Sequence, residues 1–225
     1  WLSGGGGAAD AAGLGLGVSG HALLGAVVEL RASGGVVFAG RLSAGTQGWL
    51  SDHAVGGTVL FPGAGFVELA IRAGDEVGCA VVEELNLAAP LILPAGPAGG
   101  SVAVQVVVGG PGESGTRTVS VFSRAETSTA WLLHAEGVLG AGSVEPGADL
   151  SAWPPAGAVP VDIGEGYELL ARRGYGYGPA FRGLTAMWRR GDEVFAEVAL
   201  PADAGLSVAG FGIHPVLLDA ALHAV

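Results

Sequence analysis

Two segments of the chain carry residues whose types and spacing suit acid–base chemistry, and the first begins at His53. His53 supplies an ionisable base, and Gly57, four residues on, can bring a backbone N–H close to a ligand. Pro62 follows at the start of an apolar helical pattern. A histidine that faces the amino end of a helix can remove a proton while free N–H groups hold the resulting oxyanion. This segment therefore predicts a base beside an oxyanion site.

The second segment, 215–223, lies far downstream and carries a candidate acid. Asp219 and His223 are four residues apart, which places the carboxyl and the imidazole on one face of a predicted apolar helix. A buried carboxylate without a partner is costly, so we expect Asp219 to be neutral or paired with His223. Apolar surroundings favour the uncharged forms, which suits His53 as proton acceptor and Asp219 as proton donor.

Each of these residues also has a plainer explanation. His53 could be a core histidine bonded to a backbone carbonyl. Asp219 could lie on a solvated helix face, although its neighbours are apolar on nearly every side. Gly57 could serve only to form a turn. These alternatives stay open on the residue pattern alone.

Periodicity predicts the elements that would hold these residues. A helix over 62–74 has proline at its start and an apolar stripe that includes Phe66 and Leu69. A second apolar helix begins at 214, and 161–173 is also predicted to be helical. Runs rich in Val and other β-formers predict strands. These runs are two within 26–43, then 80–87, 101–108, 116–124, 131–139, and two within 183–200.

Three motifs, in this order, resemble the signatures of the dehydratase domains of modular polyketide synthases. They are His-x3-Gly-x4-Pro from His53, Gly-Tyr-Gly-Tyr-Gly-Pro-Ala-Phe over 174–181, and Leu-Leu-Asp-x3-His ending at His223. Flanking stretches at 20–25, 49–53 and 89–94 resemble the same family. The likeness therefore runs from about residue 20 to the last residue.

The resemblance implies an α+β double hotdog, which is two tandem folds that each wrap an antiparallel sheet around a long helix. Residues 20–139 would form the first hotdog and 161–225 the second. Residues 1–19 are typical of a linker or frayed amino terminus, and 140–160 of a linker. The strands that should follow the second helix are absent, so we expect a second hotdog that is incomplete at its carboxyl end.

The implied reaction is loss of water from a β-hydroxyacyl thioester, which gives an α,β-unsaturated thioester. His53 would be the base and Asp219 the acid. Gly57 and Pro62 would lie at the thioester oxygen. His223 would act through hydrogen bonding rather than proton transfer.

The middle motif adds three residues to the implied pocket. Tyr177 would carry a hydroxyl into it, while Gly178 and Pro179 would set the loop. A tyrosine packed in a tight turn is the alternative for Tyr177.

The family resemblance also implies partners. The substrate would arrive on the phosphopantetheine arm of an acyl carrier protein, and the domain itself would bind no cofactor and no metal. Arg172, Arg173 and Arg182 are candidates for carrier docking, with ordinary surface solvation as the alternative. Neighbouring synthase domains are further partners. A homodimer through strand 26–31 would cover an apolar sheet edge.

Two other functions stay open: a double-hotdog isomerase or cyclase, and a catalytically silent dimeric scaffold. The presence of both His53 and Asp219 favours water loss, because shifting a double bond needs no acid aimed at a hydroxyl.

Composition argues against several protein classes. The net charge of −11 over 225 residues argues against binding to nucleic acid or anionic lipid. There is no signal-peptide pattern, and Glu68 and Arg72 interrupt the best apolar run. A single cysteine, Cys79, cannot form an internal disulfide, which fits a reducing cytosol. We therefore expect a cytoplasmic protein.

Overall fold

The structure is a computed structural model that describes residues 11–94, 100–145, 147 and 149–225. Its helices are α1 (Gly63–Glu76), α2 (Gly166–Arg172) and α3 (Pro215–Leu222). Its strands are β1 (Gly17–Val18), β2 (Leu24–Leu30), β3 (Gly35–Leu42), β4 (His53–Val55), β5 (Thr58–Val59), β6 (Val81–Leu87), β7 (Val102–Val108), β8 (Arg117–Ala125), β9 (Leu132–Gly140), β10 (Val159–Val161), β11 (Tyr175–Tyr177), β12 (Leu184–Arg190) and β13 (Glu193–Val198). No helix within these residues is long and apolar enough to cross a membrane.

A seven-stranded antiparallel sheet, in the order β1-β2-β3-β7-β8-β9-β6, packs against α1. Every second residue of β7 is buried, as period-2 alternation requires of a strand with one covered face. Leu69 of α1 and Val106 of β7 are fully buried. Burial of each such side chain contributes about 1.5–3 kcal/mol to folding. The predicted helix and the predicted strands of this half are confirmed.

Pro62 is the residue immediately before α1, with φ −68° and ψ 150°. It lacks a backbone N–H, which costs nothing at a helix start because the first N–H groups have no helical partner. The apolar face of α1 then buries Phe66, Leu69, Ala70 and Ala73. The sequence therefore starts the long helix directly after the His53 segment.

The second half is smaller. A three-stranded sheet has the order β10-β12-β13, and α3 packs against both α1 and β13. The two strands expected in 183–200 are confirmed as β12 and β13.

A third sheet, in the order β11-β4-β5, was not predicted, and it ties the two halves together. Tyr177 pairs with His53, Gly176 with Ala54, and Tyr175 with Val55. Strands of two or three residues carry too little alternation to be recognised along the chain. Their pairing depends on contacts between segments that are remote in sequence.

Three predicted boundaries were wrong. Within 1–19, Gly17 and Val18 form a strand that pairs with β2, whereas 1–10 lie outside the described residues. The predicted linker 140–160 ends inside β10. The helix expected over 161–173 covers only Gly166–Arg172. In the last two cases residues 159–161 form a strand because they pair with β12. Such pairing depends on tertiary contacts, which the local sequence does not show.

Candidate active site

His53 is the first residue of β4, and its ring is nearly buried, with 8% of the residue exposed. Nδ1 lies 2.9 Å from the backbone carbonyl oxygen of Leu60. A carbonyl only accepts hydrogen bonds, so Nδ1 carries the proton and Nε2 is left with a free lone pair. His53 therefore makes the hydrogen bond to a backbone carbonyl that a core histidine would make. This bond uses Nδ1 and leaves Nε2 available as a base.

Asp219 lies in α3, with 7% of the residue exposed. Its Oδ2 is 4.0 Å from His53 Nε2, the nitrogen that is free to accept a proton. The helix is set by Pro215 in its first turn and by His214, whose Nδ1 accepts a hydrogen bond from the Val216 N–H at 3.2 Å. The structure thus brings together the two candidate groups that the sequence places in separate segments.

His223 lies one turn beyond Asp219, and its Nε2 is 3.1 Å from Asp219 Oδ2. Its other nitrogen, Nδ1, is 3.4 Å from the Tyr167 hydroxyl. That hydroxyl also accepts a bond from the Leu184 N–H at 3.0 Å. Burial raises the pKa of Tyr167, so the hydroxyl keeps the proton that it can donate. His223 is therefore held between a carboxyl and a phenol.

Tyr177 covers the site from β11. Its ring centroid lies 5.6 Å from that of His53 and 4.2 Å from that of His223. Burial, and to a lesser degree the negative charge of Asp219 when ionised, raises the pKa of Tyr177 to about 12. The phenol is therefore uncharged and able to donate a hydrogen bond over the whole physiological range.

Gly178 and Pro179 form the turn after Tyr177, and Asp52 holds that turn. The Gly178 N–H donates to the Asp52 carbonyl oxygen, and the Ala180 N–H donates to Asp52 Oδ2, both at 2.8 Å. A Cβ at Gly178 would lie 2.4 Å from Asp52 Cγ, so only glycine fits this approach. Sequence reasoning assigned no role to Asp52, although it lies directly before His53 in the family-like stretch 49–53.

Gly57 lies in an exposed loop, whereas Pro62 is buried at the start of α1. Gly56 and Gly57 form the two-residue loop between the paired residues Val55 and Thr58, with φ values of +56° and +79°. Such a loop demands glycine or a similarly permissive residue. Gly57 is exposed at the tip of this loop, and its role at a thioester oxygen stays a prediction. Pro62 is buried directly before α1.

The three candidate arginines are all exposed, and one of them also contacts the site loop. Arg172 and Arg173 are exposed at the end of α2. Arg182 donates from Nε to the Tyr177 carbonyl oxygen at 3.0 Å, and its guanidinium carbon lies 5.7 Å from the centre of the Tyr167 ring. Arg182 therefore braces the loop that carries Tyr177.

Two family models match the chain. "Polyketide synthase dehydratase domain" matches residues 21–124, and "Polyketide synthase dehydratase N-terminal domain" matches residues 145–225. The mycoketide-CoA synthase of Mycobacterium tuberculosis is 76% identical over 225 residues, which is 100% of this chain and 5% of that protein. A putative inactive phenolphthiocerol synthesis polyketide synthase, Pks1, from the same organism is 63% identical over 219 residues, 97% of this chain and 13% of that protein. The chain therefore spans a small part of these relatives.

Solved structures are also similar. One, on dehydratase substrate selection in the borrelidin and fluvirucin polyketide synthases, has TM-score 0.90 at 54% identity and covers 96% of this chain and 76% of that chain. A bifunctional dehydratase-cyclase domain of ambruticin biosynthesis has TM-score 0.83 at 45% identity and covers 93% of this chain and 75% of that one. These neighbours confirm the hotdog fold, of which the chain contains about one and a half units.

Proposed function

Because the chain belongs to the dehydratase domains of polyketide synthases, we propose that it removes water from a β-hydroxyacyl thioester to give an α,β-unsaturated thioester. The observation that carries the proposal is the approach of His53 Nε2 to Asp219 Oδ2, 4.0 Å apart in a nearly buried site. One group can accept a proton and the other can donate one, which is what this elimination needs.

In the proposed reaction, His53 Nε2 removes a proton from the carbon α to the thioester. Electrons move into the Cα–Cβ bond as the C–O bond at Cβ breaks. Asp219 delivers its proton to the departing hydroxyl, which leaves as water. His53 is then protonated and Asp219 is ionised. Because the two groups are adjacent, a proton passed from His53 to Asp219 restores the starting state.

The short distance between the pair constrains how the substrate lies. A group of three carbons does not fit between atoms that are 4.0 Å apart. A Cα–H and a β-hydroxyl on neighbouring carbons can instead lie across the pair, each within the 2.6–3.2 Å hydrogen-bond reach typical of proton transfer. This arrangement presents the leaving hydrogen and hydroxyl from one face of the substrate, so we infer a syn elimination.

His223 and Tyr177 support this pair. The hydrogen bond from His223 to Asp219 Oδ2 fixes the rotamer of the carboxyl. In the proposal the proton that is delivered sits on Oδ1, the other oxygen of the same carboxyl. Tyr177 closes the site over His53, and its neutral phenol can bind the thioester oxygen or the hydroxyl. A partly buried hydrogen-bond donor of this kind stabilises negative charge that develops during the reaction.

Delivery of the substrate is part of the proposal. The phosphopantetheine arm of an acyl carrier protein would bring the thioester in, so the domain would need no cofactor of its own. Carrier proteins are acidic, and exposed Arg172 and Arg173 offer positive charge at the end of α2. Neighbouring synthase domains and a second copy of the chain are the other proposed partners. A cytoplasmic location agrees with these partners.

Two alternative functions, ring closure and a catalytically silent domain, are each suggested by one relative. A similar structure is a bifunctional dehydratase-cyclase domain, and one relative is putatively inactive. Incubation with a β-hydroxyacyl pantetheine thioester that also carries a second, distal hydroxyl able to add to the β carbon, followed by mass spectrometry, separates the cases. Loss of one water supports dehydration. A dehydrated product that is then resistant to thiol addition indicates ring closure. Unchanged substrate indicates a silent domain and refutes the proposal.

A further inference from the structure

Glu68 is a second buried carboxylate, and it lies in the middle of α1 rather than in α3. It is fully buried. Its Oε1 accepts hydrogen bonds from the Gly212 N–H at 2.7 Å and from His21 Nε2 at 3.2 Å. Its Oε2 accepts one from the Ile213 N–H at 2.8 Å. Both oxygens are therefore occupied by donors from outside α1.

These bonds keep Glu68 ionised. Burial alone would raise its pKa, but the hydrogen bonds from His21, Ile213 and Gly212 outweigh burial and lower the pKa. His21 Nδ1 accepts from the Leu23 N–H at 3.1 Å, so its proton is on Nε2 and points at Glu68. Unlike Asp219, Glu68 has no free oxygen to offer a substrate, and so it is not a second acid.

The backbone groups that Glu68 holds lead directly into the helix that carries Asp219. Ile213 is followed by His214, which accepts the bond from Val216 that starts α3. Asp219 comes one turn later. A helix is stiff over so few residues, so a shift where α3 begins moves Asp219 by a similar amount.

The contact between His53 and Asp219 does not itself fix their separation, because 4.0 Å is longer than a hydrogen bond. The separation depends on how the two elements are seated. β4 is fixed by pairing with β5 and β11, whereas α3 is anchored at its start by Glu68.

We propose that Glu68 is a positioning residue for the dehydration, in that its carboxylate seats α3 on α1 and so sets Asp219 at working distance from His53. This inference rests on the proposed function for its catalytic consequence. Its structural part, the seating of α3, stands independently of that function. A displacement of about 1 Å at a reacting group can cost on the order of 100-fold in rate.

The test is Glu68→Gln in the full chain. The amide keeps the shape but presents an NH2 group to a donor in either orientation. It loses the Ile213 bond if the NH2 takes the Oε2 position, and the Gly212 and His21 bonds if it takes the Oε1 position. Hydrogen exchange at residues 212–222 should become faster. Turnover should fall about 10- to 100-fold, with KM changed less than about 3-fold, because the acid is displaced but the binding surface is kept.

Ser123→Ala is the matched control. It removes a buried 2.6 Å hydrogen bond to His134 between β8 and β9, in which no residue of α3 and no partner of Glu68 takes part. It should lower the melting temperature but leave exchange at 212–222 and turnover near the parent values. Equal loss of turnover in both variants would mean a general stability effect and would overturn the proposal. Faster hydrogen exchange at 212–222 in Glu68→Gln together with unchanged turnover would also overturn the proposal.

Glu68→Asp keeps the negative charge on a shorter side chain, and it provides a readable variant if Glu68→Gln fails to fold. We expect intermediate exchange and intermediate turnover, and parent-like values for both would contradict the proposal. A parent chain without dehydratase activity would refute the proposed function instead. Exchange at 212–222 in the variants would then decide whether Glu68 seats α3.

Discussion

His53 Nε2 lies 4.0 Å from Asp219 Oδ2, although the two residues belong to β4 and α3 in opposite halves of the chain. Their approach depends on two sets of contacts. Pairing of β4 with β11 brings the Tyr177 segment onto His53, and α3 packs on α1. The proposed acid–base pair is thus a product of tertiary structure.

Replacing His53 with alanine should reduce water loss at least 100-fold while the fold is kept, because a general base contributes about 10²–10⁴ in rate. Circular dichroism and turnover should be measured on the same sample. Turnover close to that of the parent would remove His53 from the mechanism.

The variant Asp219→Asn should lower kcat far more than it changes KM. The amide keeps the shape of the side chain and can still meet His223, but it cannot deliver a proton of suitable acidity. Steady-state kinetics with a soluble thioester would show the split. A nearly normal kcat would mean that the hydroxyl leaves without this acid.

The phenol of Tyr177 should titrate close to pH 12, as against 10.0 for an ordinary tyrosine. Since the folded state raises this pKa, the neutral phenol contributes fully to stability below pH 10, and the contribution is lost as the pH rises towards 12. Absorbance titration of the phenolates should show this late step in the parent, and the step should be absent from Tyr177→Phe. Over the same interval the unfolding free energy of the parent should fall relative to that of Tyr177→Phe, and a constant difference between the two would contradict the raised pKa.

The turn at Gly178 predicts a local stability effect with a neighbouring control. Gly178→Ala would place a Cβ 2.4 Å from Asp52 Cγ, which we expect to cost about 1–3 kcal/mol in unfolding free energy. Gly176→Ala is the control, since its Cβ would meet Ala54 at an ordinary 3.5 Å. Urea denaturation measures both, and equal stabilities would show that the Asp52 contact does not constrain the turn.

Local patterns predicted the elements that carry the site, and the family resemblance predicted that His53 and Asp219 act together, but other contacts between distant segments were missed. The four-residue spacing of Asp219 and His223 was enough to predict that the two side chains meet. The apolar stripe after Pro62 predicted α1. By contrast, β11 is three residues with a central glycine, and Glu68 looked like a charge that merely interrupts an apolar run. Its partners, Gly212 and Ile213, adjoin it only in the folded chain.

Self-association through β2 also stays a prediction. The structure pairs β1 with residues 26 and 27 of β2, so the uncovered part of that edge is shorter than the sequence suggested. Val28 and Leu30 remain partly exposed there. Light scattering at several concentrations should show a dimer that Leu30→Arg weakens and Leu132→Arg, on β9, does not. A persistent monomer in the parent chain would contradict this.

The most direct test of the acid–base account uses a β-hydroxyacyl pantetheine thioester with both α hydrogens replaced by deuterium. In the parent chain the product must lack the hydroxyl and retain one of the two deuterium atoms. If His53 is the base and Asp219 the acid, His53→Ala and Asp219→Asn must return most of the substrate with its hydroxyl and both deuterium atoms. Mass spectrometry reads both changes at once. Substrate returned intact by the parent chain, or the dehydrated, singly deuterated product formed at the parent rate by either variant, would contradict the account.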